Sequence, residues 1–120
     1  MIDGDTLVVD GVETVRLIGV DTPETVDPRR PVQYFGREAS NFTRALALGR
    51  MVRLEFDVDR RDRYGRTLAY VYLSDGMFLN AEIIRQGYGY AYTRFPFRFL
   101  EAFRAYEQEA RAAGRGLWGR

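Results

Sequence analysis

The sequence predicts an α+β fold, a small Greek-key β-barrel accompanied by helices, and three observations carry that prediction. Short stretches alternate apolar and polar residues in two hairpin-like pairs, three other segments repeat apolar residues every three or four positions, and no linker divides them. At 120 residues and 46% hydrophobic content the chain is long enough for one core and too short for two ordinary ones. Residues 1–120 are therefore expected to form a single domain.

The elements follow in order. Thr6 to Asp10, centred on Leu7-Val8-Val9, reads as a strand; Asp10-Gly11 is a turn signal, and Val12 to Val20 returns as a second strand. In that strand alternation places Arg16 on one face with Ile18 and Val20, and Val15, Leu17 and Gly19 on the other. Pro23 ends it at Asp21 or Thr22. Asp27 to Pro31, with two prolines, is a loop. Phe35, Ala39, Phe42 and Leu46 mark one face of a helix ending near Gly49. Val52, Leu54 and Phe56 alternate with Arg53 and Glu55 as a half-buried strand, whose partner is Thr67 to Leu73 across the charged hairpin loop Asp57 to Arg66. Leu79 to Gln86 is a short helix, with Asn80 as N-cap and Gly87 beyond its end. Phe99, Phe103, Tyr106, Ala110 and Ala113 mark a longer helix that stops at Gly114 and leaves Leu117-Trp118 to pack back on the body. Tyr88, Tyr90 and Tyr92 alternate as one strand face. Five or so short strands with interposed helices suit a barrel of the OB type.

Composition narrows the chemistry. The chain has no cysteine and no histidine, so it holds no disulfide, no thiolate nucleophile and no imidazole base; hydrolysis here must run on carboxylates. No apolar run approaches the roughly 20 residues that span a bilayer, and no secretory signal stands at the amino end, although the abrupt start leaves room for a removed leader. Net charge is +1, but it divides into −6 over residues 1–28, +5 over 29–66 and +2 over 67–120. An acidic segment beside a basic one suits a polyanion held against a metal. All 18 basic residues are arginine, which is best read as a chain-wide compositional bias.

Taken singly, Asp3-Gly4-Asp5-Thr6 is a polar turn and Asp62-Arg63-Tyr64-Gly65-Arg66 a hairpin tip. Taken together with Val15 to Glu24 they describe a site. Two antiparallel strands joined by one tight turn bring Asp3 and Asp5 near Asp21, and clustered carboxylates repel unless a cation or protons intervene. An all-oxygen set selects a hard cation, Ca²⁺ or Mg²⁺. Arg16, a guanidinium on an apolar face, needs an anionic partner, and a structural salt bridge to one of those acids is the plainer alternative. With Arg66 it describes a clamp for a phosphodiester, and Glu24 is left to take a proton from water.

Asp3-Gly4-Asp5-Thr6, VRLIGVDTPET at Val15 to Thr25, YFGREAS at Tyr34 to Ser40, DRYGRTLAYVY at Asp62 to Tyr72, LNAEIIRQGYGYAY at Leu79 to Tyr92 and GLW at Gly116 to Trp118 together resemble the staphylococcal nuclease (thermonuclease) family. The resemblance covers nearly the whole chain, in order. It implies a five-stranded OB barrel with three helices and a Ca²⁺-dependent nuclease that cleaves DNA and RNA. By motif position it makes Asp5, Asp21 and the Thr22 carbonyl the calcium ligands, with Asp3 in the outer shell. Arg16 and Arg66 would grip the scissile phosphate, Glu24 would be the general base, and Tyr64 and Tyr92 would line the nucleotide pocket. Single-stranded or frayed nucleic acid is the implied substrate, a secreted or periplasmic address is favoured, and no membrane is involved.

The chain departs from the family at its amino end, where a long first strand would precede the acidic turn and only Met1 and Ile2 do so. The expected consequence is an open sheet edge: either the chain is a trimmed fragment, or another segment or another molecule covers the gap, for example by strand exchange in a homodimer. The alternative to an active nuclease is a weak or inactive OB-type nucleic-acid-binding module. A structural calcium domain is disfavoured because it gives Arg16 and Arg66 no task.

Overall fold

The computed structural model describes residues 3–23 and 34–119, so the expected loop from Asp27 to Pro31 and the expected base Glu24 lie outside the described residues. The chain forms β1 (Thr6–Val9), β2 (Glu13–Leu17), β3 (Val20–Asp21), α1 (Gly36–Ala47), β4 (Val52–Glu55), β5 (Thr67–Leu73), α2 (Leu79–Arg85), β6 (Tyr90–Ala91), α3 (Leu100–Ala113) and a final 3₁₀ turn (Gly116–Gly119). The architecture is mixed α and β with three α-helices. Where a single five-stranded barrel was expected, the described residues form a four-stranded sheet ordered β1-β2-β5-β4 and a separate pair β3-β6.

The hairpin β1–β2 is antiparallel with Thr6 opposite Arg16 and Val9 opposite Glu13. Asp10, Gly11 and Val12 form its loop; Asp10 and Gly11 both take positive φ, and Val12, expected in the strand, is 86% exposed. β2 runs parallel to β5, with Val15 opposite Thr67 and Arg16 opposite Leu68, and β4 pairs antiparallel with β5 through the expected hairpin. Phe56 lies just past the end of β4.

The second strand does not continue to Val20. It breaks at Gly19, whose φ of +77° suits glycine, and where a Cβ would lie 2.5 Å from the Phe97 ring. Beyond the break Val20 and Asp21 pair with Ala91 and Tyr90 of β6. This resets the alternation: Val20 joins Val15 and Leu17 in the core, so it does not share the face of Arg16 as the strict period-two reading required.

Fully buried Tyr70, Phe103, Leu17, Leu79, Ile83 and Ile84 build that core, where helices α2 and α3 pack together. The aromatic repeat of α3 holds as expected: Phe103 stacks with Phe99 and meets Phe78 and Tyr106, and Gly114 closes the helix in the left-handed conformation. Asn80 is not a cap. It lies inside α2, fully buried, because its side chain serves strand backbone: Oδ1 accepts from the Val71 amide, and Nδ2 donates to the carbonyls of Ile18 and Ala69. Nor do the three tyrosines share one face. Only Tyr90 is in a strand; Tyr88 stacks on Phe42, Tyr90 meets Trp118 edge-on and Tyr92 meets Phe95, because the chain turns into β6 from α2.

Candidate active site

The site forms where the end of β2, the turn before β1 and the short β3 meet. Arg16 leaves β2 on the face opposite Val15 and Leu17, then folds back around the Gly19 break. Its Nη1 donates to the carbonyl oxygens of Leu17 (2.9 Å) and Val20 (2.5 Å). The break turns these carbonyls toward the guanidinium, and Asn80 holds the intervening Ile18 carbonyl from behind. Only 15% of the Arg16 side chain is exposed.

Its other terminal nitrogen faces the acids. Nη2 lies 3.5 Å from Asp5 Oδ2 and 3.9 Å from Asp21 Oδ1. The cation that these two carboxylates share is thus Arg16 itself, an arrangement the motif positions alone do not reveal. Asp5 is buried and held at both oxygens: Oδ1 accepts from the Thr6 hydroxyl at 3.0 Å, and Oδ2 accepts from the Thr22 amide at 2.9 Å. Burial and the negative charge of Asp5 push the Asp21 carboxyl above the ordinary range, and Arg16 only partly offsets them. Asp3 stands one turn away, at the bridge to Thr6.

Arg66 immediately precedes β5, and its neighbour Thr67 pairs with Val15, so alternation puts Arg66 on the same sheet face as Leu68 and Arg16. Asp62 anchors it across the hairpin turn, receiving the Arg66 Nε at Oδ2 (2.6 Å) and its amide at Oδ1 (2.9 Å). Burial raises the Asp62 carboxyl, but the hydrogen bonds from Arg66 and from the Tyr64 amide outweigh it and hold the group below the ordinary range. Tyr64 is 68% exposed, with the guanidinium groups of Arg63 and Arg66 at 4.9 and 5.5 Å from its ring. Tyr92 is tied to the other side of the break, its amide donating to the Gly19 carbonyl at 2.8 Å.

Asp5, Arg16, Asp21 and Thr22 are therefore brought together, Arg66 and Tyr64 stand on the adjacent hairpin, and Tyr92 joins through its backbone. Sequence reasoning missed Asn80 and Asp62 as supports, and it missed Thr43, whose hydroxyl reaches the acidic turn. A polar residue at the buried position of a helical period was the available signal for Thr43.

The donor set fits a hard cation. All its candidate ligands are oxygen, the two carboxylates repel, and the buried Thr22 hydroxyl has no hydrogen-bond partner among the described residues. No group of three acidic side chains arranged around one point occurs among the described residues.

Comparison with known proteins places these residues in a wider set. The family model described as staphylococcal nuclease homologue matches residues 14–120. The thermonuclease of Staphylococcus hyicus is 43% identical over 122 residues, which take in 98% of this chain and 72% of the relative. The thermonuclease of Staphylococcus intermedius is 54% identical over 90 residues, 72% of this chain and 53% of the relative. The endonuclease YncB of Bacillus subtilis is 41% identical over 125 residues, 99% of this chain and 59% of the relative. The chain thus spans from about half to under three quarters of the length of these three relatives.

Proposed function

The chain belongs to the staphylococcal nuclease family, and from that premise we propose that it is a nuclease hydrolysing phosphodiester bonds of DNA and RNA with Ca²⁺ as cofactor. The observation that carries the reading is the placement of Arg16, fixed by two carbonyls and facing two carboxylates. A guanidinium held this way has little freedom to lose when a phosphate arrives, which favours transition-state binding.

Asp5, Asp21 and the Thr22 carbonyl would hold the cation, with Asp3 in its outer shell. The bound cation supplies charge stabilisation at a phosphoryl oxygen. Arg16 and Arg66 bind the phosphate from one sheet face, placing positive charge where the pentacovalent state gains negative charge. Glu24, three residues after Asp21, takes a proton from the attacking water. Tyr64 and Tyr92 offer ring faces to bases of a single-stranded or frayed substrate, a use that tolerates any sequence. The two sheets are read as parts of the family's OB barrel. A second copy pairing with β1, the outer strand of the sheet among the described residues, where Val8 is 41% exposed, would cover that edge; a purely monomeric protein in sedimentation at high micromolar concentration removes the dimer.

The test is cleavage of single-stranded DNA in Ca²⁺, before and after chelation. Chelation should abolish it, and Glu24→Gln and Arg66→Ala should each slow it by about a hundredfold or more. Salt-sensitive binding without cleavage would assign the chain to the binding-module alternative.

A further inference from the structure

The acidic turn is pinned by a helix that contributes no ligand or phosphate-binding group to the proposed site. Thr43, in the middle of α1, is fully buried, and its hydroxyl donates to the carbonyl of Gly4 at 2.7 Å, across 39 residues of sequence. A threonine inside a helix ordinarily turns its hydroxyl back to a carbonyl of its own helix. Here it reaches out to the turn instead. The two surfaces are also in direct contact: a Cβ on Gly4 would lie 3.1 Å from the Ala39 carbonyl carbon and Cβ, and 3.0 Å from Thr22 Cγ2.

The Gly4 carbonyl and the Asp5 nitrogen belong to one planar peptide unit. Fixing the carbonyl direction therefore fixes the plane from which the Asp5 side chain departs. Asp5 has little tolerance for rotation, since its two oxygens already receive the Thr6 hydroxyl and the Thr22 amide while facing Arg16.

We propose that Thr43 is a positioning residue for the cation and phosphate site, acting through the Gly4 carbonyl to aim Asp5. This inference rests on the nuclease reading given above. Releasing the hydroxyl leaves the turn packed on α1 but free to rotate about that peptide. Asp5 then loses its alignment with Asp21, while Arg66 and Tyr64, on the other hairpin, keep theirs.

The experiment uses the whole chain and two variants, Thr43→Val and Thr43→Ser, with Ca²⁺ affinity read by titration calorimetry and cleavage of single-stranded DNA read separately as kcat and KM. Thr43→Val keeps the volume and removes the donor. It should weaken Ca²⁺ binding about tenfold or more and lower kcat to a similar degree. KM should move by less than about twofold, because Arg66 and Tyr64, on the other hairpin, keep their positions. Thr43→Ser keeps the donor and removes a methyl group. It should melt at a lower temperature yet hold Ca²⁺ and turn over as the parent does.

A folded Thr43→Val protein matching the parent in Ca²⁺ affinity and kcat overturns the inference. So does a Thr43→Ser protein whose Ca²⁺ affinity falls along with its melting temperature, a result that stands even if the valine variant does not fold. A parent that neither binds Ca²⁺ nor cleaves overturns the nuclease reading itself, which separates that failure from the failure of Thr43.

Discussion

Asp62 holds Arg66 at two points, receiving the side-chain Nε at 2.6 Å and the backbone amide at 2.9 Å. The hairpin turn thereby sets both the backbone and the guanidinium of the second arginine. Asp62→Ala removes both anchors and should slow cleavage by up to about a hundredfold through misplacement alone. Because hydrogen bonds depress its carboxyl, the contribution of Asp62 to stability is complete above the ordinary carboxylate value and is lost as pH falls through the lower folded value. Denaturant melts of parent and variant should therefore differ at neutral pH and converge in strong acid.

Asp21 behaves in the opposite sense. Its carboxyl is raised by burial and by Asp5, so ionising it costs the metal-free fold, and stability falls as pH rises from the ordinary value through the raised one. With chelator present at neutral pH, Asp21→Asn should melt slightly above the parent, and in Ca²⁺ its nuclease activity should be lost. More than half of the Asp21 side chain (57%) is open to solvent, so screening keeps the gain small. A lower melting temperature for the variant would contradict this account.

Asn80 predicts a stability effect of a different size. It is fully buried and satisfies one amide and two carbonyls. Asn80→Ala removes the side-chain partner of the Val71 amide and the Ile18 carbonyl, while the Ala69 carbonyl keeps the Ile18 amide, and it opens a void, so urea unfolding should show a loss of about 3 kcal/mol. The Ile18 carbonyl it holds lies next to the Gly19 break, so residual activity should fall further than the unfolded fraction explains.

Tyr64 should separate binding from folding. Its ring is exposed, so Tyr64→Ala should change stability by under about 0.5 kcal/mol. If the ring stacks a base, KM on long single strands should rise about tenfold, consistent with roughly 1–3 kcal/mol per stacked base. An unchanged KM would remove Tyr64 from the substrate site.

Elements carried by strong periodicity were legible in the sequence: α1 and α3 appear nearly where their apolar spacing put them, and the β4–β5 hairpin joins the strands expected of it. What failed was local. The run from Val12 to Val20 looks like one continuous strand, and only a glycine forced between Phe97 and Phe103 reveals the break. Asn80 has the residue type that favours caps, but its buried amide satisfies two strand groups and the Ile18 carbonyl at the break at once, and that outweighs the local preference. Within the site, Asp5, Arg16 and Asp21 were legible as a group from motif and topology. That Arg16 itself bridges the acids was not, because it depends on where a side chain bends after the strand has stopped.

The parallel pairing of β2 with β5 has a kinetic consequence. Ile18 and Asn80 are 62 residues apart, and Arg16 meets the strand that follows Arg66 only when two distant parts of the chain are already in register. Such contacts form late, after the entropy of a long closed loop has been spent. Recovery of activity after dilution from denaturant should thus track the slowest global phase, and a chain still emerging from the ribosome, without β5, would be chemically silent toward the nucleic acids around it.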